Sequence, residues 1–528
     1  MPERLVIRQV RLPQGDGLGD PCDVVVDAGR IAEVRPSSPS RPGEQWLDGA
    51  GRVCLPGLVD AHCHAAAAVF EPAVQLALLR QGVTTVVVGQ DGIGPAPSDE
   101  ASHRWSGEYF ASLDGESPRL RPGSMARWLG SYDGAVPVNV GAFVPHGSLR
   151  YLACGAAQRP STSGEIADIA RLLAQGLDDG ALGLSTGLEY VPAAWATRDE
   201  LVALLGVVAK YGRVHSSHMR GYEAAAPEAV AELVDLAQTT GAATHIAHYH
   251  GDAAMLGGLL DRGHEVGVDL TFDSYDYLRG CSLLAMVALP RWLPLADAAA
   301  TLALLSRPSG VPLRLLDHLA GLDDLWPRTR LAWADGADPV TGEALGWTSG
   351  LTVPEVAGRW CVTPAEAALR LLVGTRLGAS CVFEQPPTNS AASVEALADR
   401  EEHMAGSDAV YVPFSGEGLV HPRAWGATAR WLAEKVVRQE MWTWGDAVQH
   451  LSARAVRRFG LGARGRIEAG AVADIVLAEP SQLRDRATYE APRLLATGID
   501  DVLVAGLPVL AGGELTGQTP GRGLRWEG

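Results

Sequence analysis

Cysteine is scarce and unpatterned in this chain. Seven are scattered over 528 residues, with no C-x-x-C spacing. That argues against a disulfide framework and leads us to expect free thiols in a reducing, cytoplasmic setting. Positive charge is also short. The formal net charge is −18, so no basic surplus exists to neutralise phosphates, and no nucleic-acid partner is expected. A locally basic pocket for an anionic small molecule is compatible with that balance. No run of about 18 apolar residues occurs, so no membrane span is expected. The opening Met1-Pro-Glu-Arg does not lead from a basic stretch into an apolar one, so no signal peptide is expected.

What is present suits a globular enzyme. The length exceeds a typical single domain and leaves room for a large barrel of about 250 to 400 residues with appended material. Residues 1–55 read as short strands at 4–10, 22–27 and 28–34, followed by a Ser- and Pro-rich loop at 37–42. They are too few to stand alone and need a partner sheet. From residue 53 apolar strands alternate with helical segments. Helices are expected at 72–80, 165–176, 199–211, 227–240 and 252–263, and strands at 84–89, 136–144, 181–185, 214–218, 243–248 and 266–275. Many β–α units with polar residues at the strand ends point to parallel strands in a barrel, with the active site at their C-terminal ends. Residues 290–390 break the rhythm and read as a mostly helical insertion near the active site. Helices at 394–404, 425–434 and 443–460 resume it. Short strands after residue 463 match the character of the N-terminus. The expected plan is an α/β chain: a (β/α)8 barrel from 56–289 and 391–462, and a small β-sandwich built from 1–55 and 463–528.

The chemistry gathers on Pro56-Gly-Leu-Val-Asp-Ala-His-Cys-His64. On a strand, residues two apart face the same side. His62 and His64 would then project together and Cys63 away from them. His218 and His248 end later strands, and Asp408 follows the short segment before it, at the last strand. A barrel brings such strand ends together. Four imidazoles and a carboxylate suit a hydrolytic Zn2+ site with an open position for water. His245 and His250 are read as structural, one facing away from His248 and the other leaving the strand.

These residues fall in motifs that resemble the N-acyl-D-amino-acid deacylases (D-aminoacylases) of the amidohydrolase superfamily. The motifs include Leu55-Pro-Gly-Leu-Val-Asp-Ala-His-Cys-His, Gly180-Ala-Leu-Gly-Leu-Ser-Thr-Gly-Leu-Glu-Tyr190, His218-Met-Arg220, Ile246-Ala-His248, Gly406-Ser-Asp408, His421-Pro-Arg423 and Thr516-Gly-Gln-Thr-Pro-Gly-Arg. The resemblance runs from about residue 20 to the end and is weakest across 290–400. It implies a metal-dependent barrel with a β-sandwich from both termini. It implies His62 and His64 at one metal position, His218 and His248 at the other, and Asp408 as general base and acid. Tyr190, Tyr275 and Arg423 fall where family members hold the substrate carboxylate.

The chain departs from that family near the site. The loop after the second strand usually reads Gly-Asn-Cys-Gly, its Cys bridging two metals. Here it is Gly89-Gln90-Asp91-Gly92. Asp91 is placed among the metal ligands, a hard oxygen in place of a soft thiolate. One zinc, two, or another divalent metal are all left open. The usual two acidic residues after the histidine pair are Ala65 and Ala66. The usual His-His-Lys is His248-Tyr-His250, and the usual Tyr-Pro-Tyr is Tyr275-Asp-Tyr277. The expected activity is hydrolysis of the N-acyl amide of a small carboxylate-bearing molecule, an N-acyl-D-amino acid or a related metabolite. Hydrolysis of a cyclic amide or N-carbamoyl group, and a non-catalytic binding protein descended from the family, are the competing readings. The oligomeric state is left open.

Overall fold

The eight barrel strands form because their residues have no wet side. In the computed structural model, which describes residues 4–39, 44–306, 313–414 and 418–528, Val83–Val88 is buried at every position. A β-branched run buried on both faces is the signature of a parallel strand covered by helices outside and packed side chains inside. We number the strands β1 (Leu58–Asp60, resuming at Cys63–His64), β2 (Val83–Val88), β3 (Asn139–Ala142, resuming at Val144–Pro145), β4 (Gly183–Gly187) and β5 (Val214–His218). Then come β6 (Ala243–Ile246), β7 (Leu270–Ser274) and β8 (His403–Ala405, resuming at Ala409–Val410). Parallel pairing runs from β1 to β8 in chain order. The barrel closes where Ala409 pairs with Cys63 and the Ala61 amide donates to the Ala405 carbonyl at 3.0 Å.

The outer helices follow from amphipathic spacing and capping. In Ser163–Asp178, Ile169, Leu173 and Leu177 recur every fourth residue and are buried. Thr162 and Glu165 form a capping box at its start, which satisfies amides that would otherwise lack partners. Among the described residues no helix is long and apolar enough to cross a membrane.

The two chain ends make the sandwich. One sheet orders Arg30–Pro36, Cys22–Asp27, Leu5–Val10 and Gln45–Asp48. The other combines Ile475–Ala478, Ile499–Val504, Leu507–Ala511 and Glu514–Leu515 with the N-terminal strand Val53–Pro56. Ile7, Val24 and Val26 meet Ile475, Leu477 and Leu503 between them. One short piece departs from the plan: Gly523–Leu524 pairs with β3, away from the sandwich. The loop expected at 37–42 falls partly outside the described residues.

The segment read as mostly helical also contains a three-stranded antiparallel sheet, ordered Arg279–Leu283, Ser380–Glu384 and Thr329–Trp333. Its partners lie some 45 or more residues apart, so no local pattern announces the pairing. The expected strand 58–64 also breaks, at residues 61 and 62, and the helix expected at 394–404 ends at Ala398 before β8 begins.

His146 follows β3 but belongs to the frame. Its Nε2 lies 2.8 Å from Glu200 Oε1, and Arg150 holds the other carboxylate oxygen, all fully buried. Burial pushes the Glu200 carboxyl up, but His146 and Arg150 outweigh it and hold it down at about 2. Because the folded value lies below the unfolded one, the stabilisation is complete above the ordinary glutamate range and is lost as pH falls toward 2. That linkage is on the order of 3 kcal/mol. Glu200→Gln should therefore lower the melting temperature most near pH 7, with the gap to wild type narrowing at about pH 3. A gap that stays constant over that range in parallel thermal melts would contradict the assignment.

Candidate metal centre and active site

Each candidate ligand sits where a barrel strand ends or bends. His62 precedes the resumption of β1 and His64 ends it. Asp91 follows β2, in a turn where Gly89, Asp91 and Gly92 all have positive φ, at 72°, 56° and 73°. His218 is the last residue of β5. His248 lies two past β6 with φ 34°, and Asp408 lies between the two parts of β8 with φ 48°. Left-handed backbone costs a non-glycine residue about 1–2 kcal/mol, and three such residues face one another here. Strain concentrated in this way is a mark of a functional site. Gly187 on β4 makes the Asp91 turn possible. A Cβ there would meet the Asp91 carbonyl oxygen at 2.0 Å.

The side chains converge on Asp91. His62 Nε2 is 3.7 Å from its Oδ1, His64 Nε2 3.6 Å from Oδ2, His248 Nε2 3.6 Å and His218 Nδ1 3.9 Å from Oδ1. Asp408 Oδ1 lies 3.8 Å from His62 Nε2 and 3.4 Å from His64 Nε2. Two groups of donor atoms result, each within 4.8 Å: His62, His64, Asp91 and Asp408, and Asp91, His218 and His248. Asp91 is common to both.

On three of the four histidines the ring nitrogen that faces away from this centre meets a carboxylate. His62 Nδ1 donates to Asp273 Oδ2 at 3.3 Å, His64 Nδ1 to Asp114 Oδ1 at 2.9 Å, and His218 Nε2 to Glu189 Oε2 at 3.0 Å. Such an outer bond fixes the tautomer and turns the other nitrogen's lone pair inward, as metal-ligating histidines require.

The residues fit a divalent cation. His62 Nε2 and Asp91 Oδ1 are buried and have no hydrogen-bond partner among the described residues. They face each other at a spacing too long for a hydrogen bond. It is on the scale of two ligands that each sit about 2.0–2.2 Å from a zinc ion. The charge balance agrees. Burial opposes ionisation at Asp91, but His62, His248 and His64 hold its carboxyl well below the usual range. Burial also lowers His64, yet Asp114, Asp408 and Asp91 raise its pKa well above the ordinary histidine value. Imidazole with carboxylate is a zinc-type donor set.

A cavity of about 360 Å3 opens over the centre. Its floor includes His64, Asp91, His218, His248 and Asp408. One wall is polar, with Glu189, Tyr190, Tyr222, His250, Tyr275 and Gln385. The other is apolar, with Leu113, Val191, Met286, Leu289 and Phe383. Tyr190 Oη lies 3.3 Å from His218 Nδ1, and Tyr275 Oη accepts from Gln385 Nε2 at 3.3 Å. Among the described residues, Arg291 is the one arginine or lysine on the wall, 46% exposed and 3.4 Å from Glu189 Oε1.

Arg423, expected at the substrate carboxylate, lies beside Asp408, and none of its guanidinium nitrogens has a hydrogen-bond partner among the described residues. It is fully buried and does not line the cavity. Its guanidinium stands 4.5 Å from the centre of the Tyr275 ring, and its Nη2 lies 2.8 Å from Asp408 Oδ2. Burial opposes the charge on Asp408, and Arg423 beside it outweighs burial, so the carboxyl lies well below its usual range. His250, read as structural, lines the cavity, with Nδ1 donating to the His248 carbonyl at 2.7 Å and its ring stacked on Tyr222. His245 does sit in the core, between Thr271 and Asp273. Cys63 points away from the centre, its thiol 3.9 Å from the Val87 carbonyl. Sequence reasoning missed Asp114, Glu189, Asp273 and Arg291. Glu189 adjoins a residue it did find. The other three come from elements with no fixed spacing to the histidines.

Comparison with known proteins agrees with this geometry. The amidohydrolase family profile matches residues 45–510. An N-acyl-D-glutamate deacylase of Alcaligenes xylosoxydans xylosoxydans is 31% identical over 522 residues, spanning 97% of this chain and 94% of that protein. The crystal structure of N-acyl-D-glutamate deacylase from Bordetella bronchiseptica, complexed with zinc and a phosphonate mimic of the reaction's tetrahedral intermediate, is 27% identical. It superposes with a TM-score of 0.77 over 99% of both chains. A crystal structure of D-aminoacylase superposes with a TM-score of 0.79 at 25% identity, over 99% of this chain and 100% of that one. With its barrel, its two sets of donor atoms and these relatives, the chain belongs to the amidohydrolase family, in its N-acyl-D-amino-acid deacylase group, and is a metal-dependent hydrolase.

Proposed function

We propose that this protein hydrolyses the N-acyl amide bond of an N-acyl-D-amino acid whose carboxylate is held in the cavity above the metal centre. His62 and His64 would hold one ion, His218 and His248 a second, and Asp91 would be shared. Zinc, or another divalent cation bound there, supplies Lewis-acid polarisation of the amide carbonyl and acidifies water. The observation that carries the reading is the division of labour at Asp408. Arg423 Nη2 lies 2.8 Å from Oδ2 as an ion pair, and Oδ1 faces the donor atoms of the first group.

Asp408 Oδ1 is the atom proposed to take the proton of the attacking water and return it to the leaving amine. A carboxylate serves both steps if it stays in reach of each oxygen and nitrogen. Arg423 keeps Asp408 ionised and oriented. Tyr190 and Tyr275 offer hydroxyls to the substrate carboxylate, and Arg291 offers the charge. The apolar wall receives the acyl chain or the side chain. Two relatives are N-acyl-D-glutamate deacylases, and Arg291 is the one arginine or lysine on the wall among the described residues; both favour an acidic substrate. The boundaries at residues 55, 289, 390 and 462 are proposed as the domain plan. Seven unpaired cysteines favour a cytoplasmic setting.

A panel of N-acyl-D- and N-acyl-L-amino acids with a hydantoin, assayed with zinc supplied, tests the activity. Turnover of the D-acyl compounds is expected, and turnover of the hydantoin alone would overturn the reading. Asp408→Asn should retain zinc and lose about 100- to 10,000-fold in kcat; near-normal kcat would refute its role. Arg291→Ala should raise KM for N-acyl-D-glutamate about tenfold or more, the worth of one charge-assisted hydrogen bond. A neutral N-acyl-D-amino acid should be little affected, and an equal rise for both would contradict carboxylate recognition by Arg291.

A further inference from the structure

Asp273 touches both sets of donor residues. It lies on β7, is fully buried, and none of its contacts is with solvent. Its Oδ2 accepts from His62 Nδ1 at 3.3 Å and from His245 Nε2 at 2.9 Å. Its Oδ1 accepts from the backbone amide of His248 at 2.9 Å, and its own carbonyl accepts from the Tyr249 amide at 2.8 Å. His62 belongs to the first donor group and His248 to the second. One carboxylate therefore sets the ring of a β1 histidine and the backbone of the histidine beyond β6.

The second of these contacts has a specific task. His248 sits in left-handed backbone, φ 34°, which an L-residue keeps only when its surroundings enforce it. The Asp273 oxygen holds the amide of that residue, and the β7 carbonyl holds the next amide. Without this grip His248 is free to relax toward ordinary backbone and carry its Nε2 away from Asp91. The first contact fixes which nitrogen of His62 bears the proton. The neighbouring strand is shaped to leave room for both. A Cβ on Gly406 would meet Asp273 Oδ1 at 2.7 Å and His62 Cβ at 2.8 Å. By contrast, Asp114 reaches only His64 and Glu189 reaches only His218 among the six donor residues.

We propose that Asp273 is the positioning residue that couples the two metal positions, so that its loss weakens both, whereas loss of Asp114 or Glu189 weakens one. This rests on the binuclear metal reading above. The mechanism is geometric. In Asp273→Asn the amide can still accept from His248 or from His62, but not from both together with His245, because one of its two ends has become a donor.

The test is zinc titration of the apo-protein, followed by the absorption spectrum of the cobalt(II) form, for wild type, Asp273→Asn, Asp114→Asn and Glu189→Gln. Wild type is expected to bind two equivalents. Asp273→Asn should weaken both by about 10- to 100-fold, the usual effect of removing an outer partner of a metal-binding histidine. It should also change the cobalt bands of both ions. Asp114→Asn and Glu189→Gln should each weaken one equivalent and alter one set of bands. Gly406→Ala, which keeps the carboxylate but crowds it, should reproduce the Asp273→Asn pattern and decides the matter if that variant does not fold. Both equivalents at wild-type affinity in Asp273→Asn or in Gly406→Ala would overturn the coupling role, as would loss of one equivalent alone. Failure of wild type to bind two equivalents would instead overturn the binuclear reading, and this inference with it.

Discussion

The site depends on a single carboxylate placed against four imidazoles. Asp91 stands 3.6–3.9 Å from ring nitrogens of His62, His64, His218 and His248. These side chains come from β1, β5 and the end of β6, while Asp91 follows β2. No local preference places it there. Its own backbone is left-handed, Gly92 follows it, and β4 yields a glycine where the turn presses against it. A buried anion of this kind is tolerable only with cationic partners. The imidazoles alone satisfy that in part, and a shared divalent cation satisfies it fully. The strain at Asp91, His248 and Asp408 follows from the same demand, since each must bring its donor atoms to one point.

Much of this was legible in the sequence because the fold repeats. A strand buried on both faces, a helix and a polar strand end recur often enough that the barrel and its catalytic end can be inferred. The resemblance then assigned His62, His64, His218, His248 and Asp408 to one centre. Asp91 was marked by its position in a motif in which it replaces cysteine. The sandwich was legible because residues 1–55 were too few to bury a sheet alone. What escaped was non-local. Asp114 lies on a helix 50 residues beyond the histidine it holds. The strands Arg279–Leu283, Thr329–Trp333 and Ser380–Glu384 pair over long intervals. Arg423 was marked by its motif as a residue for the substrate carboxylate. Its burial against Asp408 depends on Tyr275 and on the packing of the helix that begins at Arg423, which spacing does not reveal.

The arrangement separates chemistry from specificity. The barrel supplies the candidate ligands, Asp91 among them, and Asp408. The inserted segment between β7 and β8 supplies Cys281, Met286, Leu289, Arg291, Phe383 and Gln385 to the cavity wall. Its core, with Trp326, Leu331, Val356 and Leu371, also takes in Val191 from the loop after β4 and backs that wall. The candidate metal ligands all lie outside the insertion.

The central claim is that imidazole and carboxylate alone hold the metal, with Asp91 where the family places a thiolate. X-ray absorption at the zinc edge of the zinc-loaded protein addresses it directly. The account predicts nitrogen and oxygen ligands only, at about 2.0–2.2 Å. A sulfur shell at about 2.3 Å would put a cysteine on the metal and contradict it.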